Sequence, residues 1–201
     1  MTAPVQLSLP TWGGKRVGAG RKRRSPLRQV SHKRRPRHAS RFPVHVVLRA
    51  RPDAPGLRGK EVFRSLQAAL AAGAARAGLR LVHYSVQGNH LHLVVEAVDK
   101  VALSRGMQGL AVRVARAVNR AADRTGRVFA DHYFARELKT PAEVRRAVRY
   151  VLDNRMLHGR LSPQTDVCAS AAPLIQPRTW LLTVGWLRSR AGPLAVSAWD
   201  T

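Results

Sequence analysis

Hydrophobic positions recur with two different periods along the chain from Phe42 onward. The segment "FPVHVVLRAR" is rich in valine and is typical of a β-strand. In "GKEVFRSLQAALAAGAARAG", the apolar residues Val62, Leu66 and Leu70 recur at helical spacing. "LRLVHYSVQG" and "NHLHLVVEA" predict two further strands, and the Gly-Asn turn between them indicates a β-hairpin. The first half of the pattern therefore predicts a strand, a helix and a hairpin.

The second half of the pattern predicts a helix, a strand and another helix. "DKVALSRGMQGLAVRVARAVNRAADRTG" is typical of a long helix, whose apolar face consists of Met107, Leu110, Val114 and Val118. "GRVFADHYFARELK" predicts a strand that is entered through an irregular segment. Thr140 as N-cap and Pro141 at the first position begin a third helix, which is expected to end at Gly159. This order predicts an α+β domain over residues 42–159, a compact antiparallel sheet with its helices on one face.

The charge of the chain adds a partner to this picture. The formal net charge is +25, and no acidic residue precedes Asp53. Such an excess of base requires a polyanionic partner or a very acidic neighbour, and nucleic acid is the first candidate. Residues 1–41 combine like charges with Gly, Pro and Ser, which predicts a disordered basic arm that follows phosphates, or alternatively a solvated extension without function. The candidate phosphate contacts of the arm are Arg21, Lys22, Arg23, Arg24, Lys33, Arg34 and Arg35.

The remaining composition narrows the class of protein. Cys168 is the single cysteine, so an internal disulfide is excluded and a reducing cytosol fits. We find no signal peptide and no apolar run of about 18 residues, so we expect a cytoplasmic protein without membrane contact. Residues 160–201 are rich in Pro, Ser and Ala and contain "TWLLTVGWL", which we expect to pack partly on the core as a short helix or strand. A ribosome-associated or nucleoid protein that only coats nucleic acid also fits these features.

Candidate chemistry begins with His90 and His92 in the third predicted strand. Side chains alternate across a strand, so both imidazoles point to one face while Leu91 and Leu93 point to the other. Two imidazoles side by side are what a metal pair requires. The alternative is a pair of surface histidines on a half-exposed strand, and the His-x-His pattern alone does not decide between them.

The third helix supplies polar residues of a second kind. Tyr150 and Asn154 are four residues apart and therefore share one helix face with Arg146. Tyr150 alternatively flanks the core with its hydroxyl in water, and Asn154 is alternatively a capping residue. The preceding long helix carries a basic face that either follows a nucleic-acid backbone or is simply solvated. That face consists of Arg113, Arg116 and Arg120.

These motifs together resemble the single-tyrosine HUH transposases of bacterial insertion sequences, and they are most similar to the REP-associated, domesticated relatives. "YSVQGNHLHLVVEA" resembles the family's Asn-His-hydrophobic-His strand, and "GRVFADHYFARELKTPAEVRRAVRYVLDNRMLHG" resembles the later block that ends in Tyr-x-x-x-Asn. The resemblance covers residues 42–159 and implies a ferredoxin-like or RRM-like HUH fold in a bacterial, nucleoid-associated protein. It implies that His90, His92 and Asn154 bind a divalent ion and that Tyr150 is the nucleophile.

The resemblance also implies an activity. Family members cleave and rejoin single-stranded DNA through a 5′-phosphotyrosine link, so we expect a DNA strand transferase or endonuclease that acts on single-stranded or hairpin DNA. Because no cysteine or carboxylate ligand is evident, Mg²⁺ or Mn²⁺ is expected rather than structural zinc. A homodimer with exchanged helices stays open at this point.

Two alternatives to the transposase remain. One is a catalytically inactive, domesticated DNA- or RNA-binding protein on the same fold. The other is a relaxase-like or replication-initiation nuclease, against which the small size and the single candidate tyrosine argue. The intact set of His90, His92, Tyr150 and Asn154 favours the enzyme, since a protein that only binds has no need of all four.

Overall fold

A computed structural model of the chain describes residues 37–76, 78–157 and 166–189, without the side chains of residues 153–157. The predicted order of strands and helices is confirmed, with one addition, the two-residue strand β2, which is too short to show a period in the sequence. The elements are β1 (Val44–Arg49), α1 (Lys60–Gly73), β2 (Ala75–Arg76), β3 (Leu79–Val86), β4 (His90–Ala97), α2 (Lys100–Ala121), β5 (Phe134–Glu137), α3 (Pro141–Leu157), a π-helical turn (Leu181–Gly185) and α4 (Trp186–Arg188).

The five strands form one antiparallel sheet in the order β2-β3-β4-β1-β5. The predicted hairpin joins β3 to β4, and the backbone N–H of Gln87 donates to the carbonyl of His90 at 2.8 Å. In β1, Val47 lies opposite His92 on one side and opposite Phe134 on the other. Because directly paired residues share a face, this register places His92, Val47 and Phe134 in one cross-strand row.

Helices cover both faces of the sheet, so the expectation that they lie on one face is wrong. On the first face, α1 and α2 pack against the leucines of β4. On the second face, Val94 and Val82 pack against Val148 and Val151 of α3. The physical reason is that Val94 of β4 and Val82 of β3 form an apolar patch on the second face, so the apolar stripe of α3 finds a partner surface there. The α+β fold class itself is confirmed.

The start of α3 is set by a capping box, as its sequence predicts. The backbone N–H of Glu143 donates to Oγ1 of Thr140 at 3.2 Å, and the Glu143 carboxylate accepts from the backbone N–H of Thr140 at 3.1 Å. Arg136 of β5 donates to the same carboxylate at 3.0 Å. The cap therefore ties the first turn of α3 to the sheet edge. The predicted end at Gly159 lies outside the described residues.

Residues 166–189 run along β3 and then onto the α3 side of the sheet. The backbone N–H of Ser170 donates to the backbone carbonyl of Tyr84 at 2.9 Å, and that of Leu174 donates to the backbone carbonyl of Val82 at 2.9 Å. The buried carboxylate of Glu96 then accepts from the backbone N–H groups of Arg178 and Thr179 at 2.7 to 2.9 Å. These bonds hold the π-helical turn against α3. Among the helices of the described residues, none has the length and apolar character needed to cross a bilayer.

Candidate active site

The two histidines of β4 meet on the α3 side of the sheet. Their Nε2 atoms are 2.9 Å apart, and their rings are nearly perpendicular, at 87°. His92 is 1 % exposed, whereas His90 at the start of the strand is half-buried. The alternative of two surface histidines is therefore wrong for His92. The strand alternation brings the imidazoles together as predicted, with Leu91 and Leu93 fully buried on the opposite face.

A third imidazole, from His45 of β1, belongs to the same cluster. Its Nε2 lies 3.2 Å from Nδ1 of His92, and the two rings stack with centroids 5.3 Å apart. Burial, together with the positive charge of Arg136, lowers the pKa of His45 to about 4, so this ring is neutral at neutral pH. The sequence reasoning missed His45. The only sequence signal for His45 is that a histidine interrupts the valine-rich first strand. Its contact with His92 depends on the β1–β4 register, which the sequence does not show.

Hydrogen bonds at the two outer ends of the cluster orient its rings. Oδ1 of Asn89 lies 2.7 Å from Nδ1 of His90, and a carbonyl oxygen only accepts, so this Nδ1 carries the proton. When Nδ1 of His92 donates to neutral His45, His92 also carries its proton on Nδ1. The two Nε2 atoms then present lone pairs toward each other. That arrangement is stable when a cation lies between them, or else one tautomer changes and a proton bridges them.

The spacing of these two nitrogens fits a cation. Two ligands bound at about 2.1 Å in adjacent octahedral positions are about 3.0 Å apart, close to the separation observed here. Among the described side chains, no group of three His, Cys, Asp or Glu residues forms a metal cluster. The third predicted ligand, Asn154, lies on α3 one turn after Tyr150, and its side chain is outside the described part. His90 and His92 are thus the described pair that could hold a metal.

Tyr150 packs on the histidine cluster from α3. Its ring meets that of His92 edge-on, with centroids 5.0 Å apart at 88°, and that of His45 with centroids 6.3 Å apart at 82°. The side chain has no exposed surface. The alternative of a tyrosine that flanks the core with its hydroxyl in water is therefore wrong. Three elements distant in sequence, β1, β4 and α3, bring a phenol and three imidazoles into one largely buried group.

The predicted phosphate-binding arginines are distributed over different parts of the molecule. Arg146 is half-buried on α3, one turn before Tyr150. The α2 arginines lie behind the sheet, because α2 packs on the face opposite the histidines. They line an open groove of about 890 Å³. Its basic residues are Arg113, Arg116, Arg120 and Arg124. The candidate contacts in the N-terminal arm fall outside the described residues.

Comparison with known proteins gives this arrangement a family. A profile of IS200-like transposases matches residues 38–154, which is more than half of the chain. The chain belongs to that family. The resemblance inferred from the sequence motifs is thereby confirmed, and the matched range contains every member of the predicted metal and tyrosine set. No curated protein matches this transposase in sequence.

Two solved structures are similar to this transposase. One is a REP-associated tyrosine transposase bound to a REP hairpin, with a TM-score of 0.53 and 13 % identity over 68 % of this chain and 82 % of that one. The other is a Deinococcus radiodurans R1 protein named as a transposase, with a TM-score of 0.42 and 15 % identity over 67 % of this chain and 99 % of that one. At 13 % identity, the first similarity establishes the fold.

Proposed function

We propose that this transposase cleaves and rejoins single-stranded DNA through a 5′-phosphotyrosine link at Tyr150. The observation that carries the proposal is the packing of the Tyr150 ring on His92, whose Nε2 is 2.9 Å from that of His90. A phenol beside a pair of imidazoles supplies a nucleophile and a place for a charge-neutralising cation. The alternative of an inactive DNA- or RNA-binding protein needs neither group.

The proposed reaction exchanges one ester bond for another. The Tyr150 oxygen attacks a backbone phosphorus, the bond from phosphorus to the 3′-oxygen breaks, and the 3′-oxygen leaves with a proton. The 3′-hydroxyl of another strand end later reverses the exchange and releases the tyrosine. Bond energy is conserved in the link, so rejoining needs no nucleotide cofactor. Because Tyr150 is fully buried, the phosphate reaches it only after the residues that cover it move.

We propose Mg²⁺ or Mn²⁺ as the cofactor, held by His90, His92 and the amide of Asn154. The ion would draw charge from the scissile phosphate and from the departing oxygen. Within the chain, His45 and Asn89 orient the two ligand rings so that their Nε2 atoms face each other. A positioning role of this kind is common for groups that hydrogen-bond to the second nitrogen of a ligand histidine.

The proposed substrate is DNA that combines a hairpin with a single strand. The similar REP-associated transposase binds a REP hairpin, and the present chain carries a formal charge of +25. Since the α2 groove lies behind the sheet from Tyr150, we propose that it holds the duplex stem while the reacting strand lies on the other face. Its contacts would be Arg113, Arg116 and Arg120, with Arg146 beside the nucleophile and Arg21, Lys22, Arg23, Arg24, Lys33, Arg34 and Arg35 in the arm.

The contact between Tyr150 and His92 within one chain supports a site assembled by a single subunit. A homodimer is therefore not required for nucleophile and ligands to meet. We place the protein in the bacterial cytoplasm with its DNA substrate.

The decisive experiment is the capture of the covalent intermediate. A pool of end-labelled, hairpin-forming single strands is incubated with the protein and Mg²⁺ or Mn²⁺, and adducts are resolved on a denaturing gel. We expect an adduct that maps to Tyr150 by mass spectrometry, and its loss in Tyr150→Phe with binding retained. Adducts that persist in Tyr150→Phe would refute the nucleophile. Binding without adducts under either metal would favour the inactive binding protein.

A further inference from the structure

The face that carries the histidines is only partly covered by α3. That helix packs mainly on β3 and β4, at one side of the sheet. The other half of the face belongs to β1 and the edge strand β5. There Phe134 is 45 % exposed, and Arg49 is exposed as well. We refer to the surface formed by Arg49, Phe134 and Arg136 around the buried Val47 as the β1/β5 shelf.

The strand register connects this shelf to the candidate active site. Val47 lies opposite both His92 and Phe134, and Arg49 lies opposite His90. Phe134 is therefore in the same cross-strand row as His92, two strands away, which corresponds to about 10 Å. Ala135, the next residue of β5, packs into the α1/α2 core on the opposite face. Because neighbouring side chains of a strand point to opposite faces, this packing agrees with Phe134 pointing to the histidine face.

The composition of the shelf matches one kind of ligand. Phe134 belongs to neither of the apolar clusters that pack on the two faces of the sheet. Its ring therefore contributes little to the stability of the fold. The register places Arg49 and Arg136 on the same face as Phe134, each two residues along its strand from the Val47–Phe134 pair. The guanidinium group of Arg136 also bonds to Glu143 at 3.0 Å. An aromatic surface among cations is how proteins bind single-stranded nucleic acid, because bases stack on the ring and phosphates meet the charges. A duplex, whose bases are already stacked, cannot use the ring.

We propose that the β1/β5 shelf binds the single strand next to the scissile phosphate, with one base stacked on Phe134 and backbone phosphates at Arg49 and Arg136. The proposal rests on the proposed function in one respect, since the bound strand is the one cut at Tyr150. Binding itself requires neither the nucleophile nor the metal, so the two proposals can fail separately.

The test measures binding alone, in Tyr150→Phe protein with EDTA, by fluorescence anisotropy. We expect Phe134→Ala to weaken binding of a labelled mixed-sequence single strand about tenfold, within the range of one lost base-stacking contact. Binding of a blunt duplex should be unchanged. Phe134→Trp should restore the affinity and Phe134→Leu should not, since only the former offers a ring. The matched control is Leu187→Ala, another exposed apolar residue, in α4 and 62 % exposed, which should have no effect.

The salt dependence of binding separates the contribution of the Phe134 ring from that of the arginine charges. The loss caused by Phe134→Ala should be the same at every salt concentration, whereas Arg49→Gln should lower the logarithmic salt slope by about 0.7. A strand with single 2-aminopurine substitutions should show one position whose quenching depends on Phe134. Equal affinities of the Tyr150→Phe protein with and without Phe134→Ala for the single strand, or equal losses for strand and duplex, would overturn the shelf. If the shelf passes these tests while the protein with Tyr150 intact forms no covalent adduct in Mg²⁺ or Mn²⁺, the shelf stands and the proposed reaction is refuted.

Discussion

The two faces of the sheet use the same strands for different purposes. On the α1/α2 face, β4 contributes Leu91 and Leu93 to a continuous apolar core. On the α3 face, the alternate positions of the same strand carry His90 and His92, with His45 of the neighbouring strand beside them. One face is thus packed for stability, while the other buries polar groups that gain little from leaving water. The difference assigns stability and chemistry to opposite sides of one strand.

The α3 face also has the smaller of the two apolar clusters. Residues 166–189 contribute to both, with Cys168 on the α1/α2 face and Leu181 and Leu182 on the α3 face. Local opening is least costly where buried apolar contacts are fewest. This fits a site whose tyrosine must be reached by a phosphate. The following predictions test the division between the faces, beginning with the largest expected effect.

Neighbouring residues of β4 should respond in opposite ways to truncation. His92→Ala should reduce covalent adduct formation at least about a hundredfold, because charge stabilisation at the phosphate is lost. Leu93→Ala should lower the free energy of unfolding by about 2 to 5 kcal/mol, as expected for a buried leucine. Adduct yield per folded molecule and urea unfolding measure the two effects.

The control for this comparison is the effect of each variant on the other measurement. At a temperature where Leu93→Ala is folded, its adduct yield should stay near that of the wild type. His92→Ala should cost less stability than Leu93→Ala, since removing a buried imidazole also removes its desolvation penalty. Normal adduct formation by His92→Ala would show that the histidines of the α3 face do not take part in the reaction.

The buried histidines of the α3 face should make stability depend on pH. Burial lowers the pKa of His83 to about 4, from an ordinary value of 6.5. The unfolded chain therefore takes up a proton at a higher pH than the folded one. The stability contribution is complete above pH 6.5 and declines as the pH falls toward 4. The loss amounts to at most about 3 kcal/mol for this one group, at 1.36 kcal/mol for each pKa unit.

The measurement is urea unfolding across this pH range for the wild type and His83→Gln. The variant should show a flatter decline on acidification, because its amide does not titrate. An unchanged decline in His83→Gln would show that other groups carry the acid sensitivity. His83 is suited to this test because its Nδ1 contacts Oγ of Ser170 at 3.2 Å and it lies apart from the candidate ligands.

His45 should influence the metal without binding it. His45→Leu removes the hydrogen-bond partner of His92, so we expect Mn²⁺ affinity to fall about 10- to 100-fold, as for other groups that orient a ligand. His45→Gln keeps an acceptor and should recover part of the affinity. Electron paramagnetic resonance of free Mn²⁺ measures binding without DNA. His83→Leu is the matched control, and equal losses in both variants would indicate a general disturbance of the sheet.

Local features of this transposase could be predicted from its sequence, and contacts between distant strands could not. The direction of His90 and His92 follows from the two-residue period of one strand. The start of α3 follows from Thr140 and Glu143. In contrast, the hydrogen-bond partner of His92 is His45, which is 47 residues away in the sequence. Only the register of β1 and β4 brings the two rings together. The side of the sheet that α3 covers depends on competition between two apolar surfaces, which no local pattern resolves.

Two helix caps provide the most delicate comparison of the faces. Thr140 caps α3, and Asp99 caps α2 by accepting from the backbone N–H of Ala102 at 2.7 Å. Thr140→Ala and Asp99→Ala should each lower the free energy of unfolding by about 1 kcal/mol. Only the α3 cap stands at the beginning of the helix that carries Tyr150. Adduct formation, measured where both variants are fully folded, should therefore change in Thr140→Ala and stay constant in Asp99→Ala. Equal changes would mean that general stability, and not the placement of α3, limits the reaction.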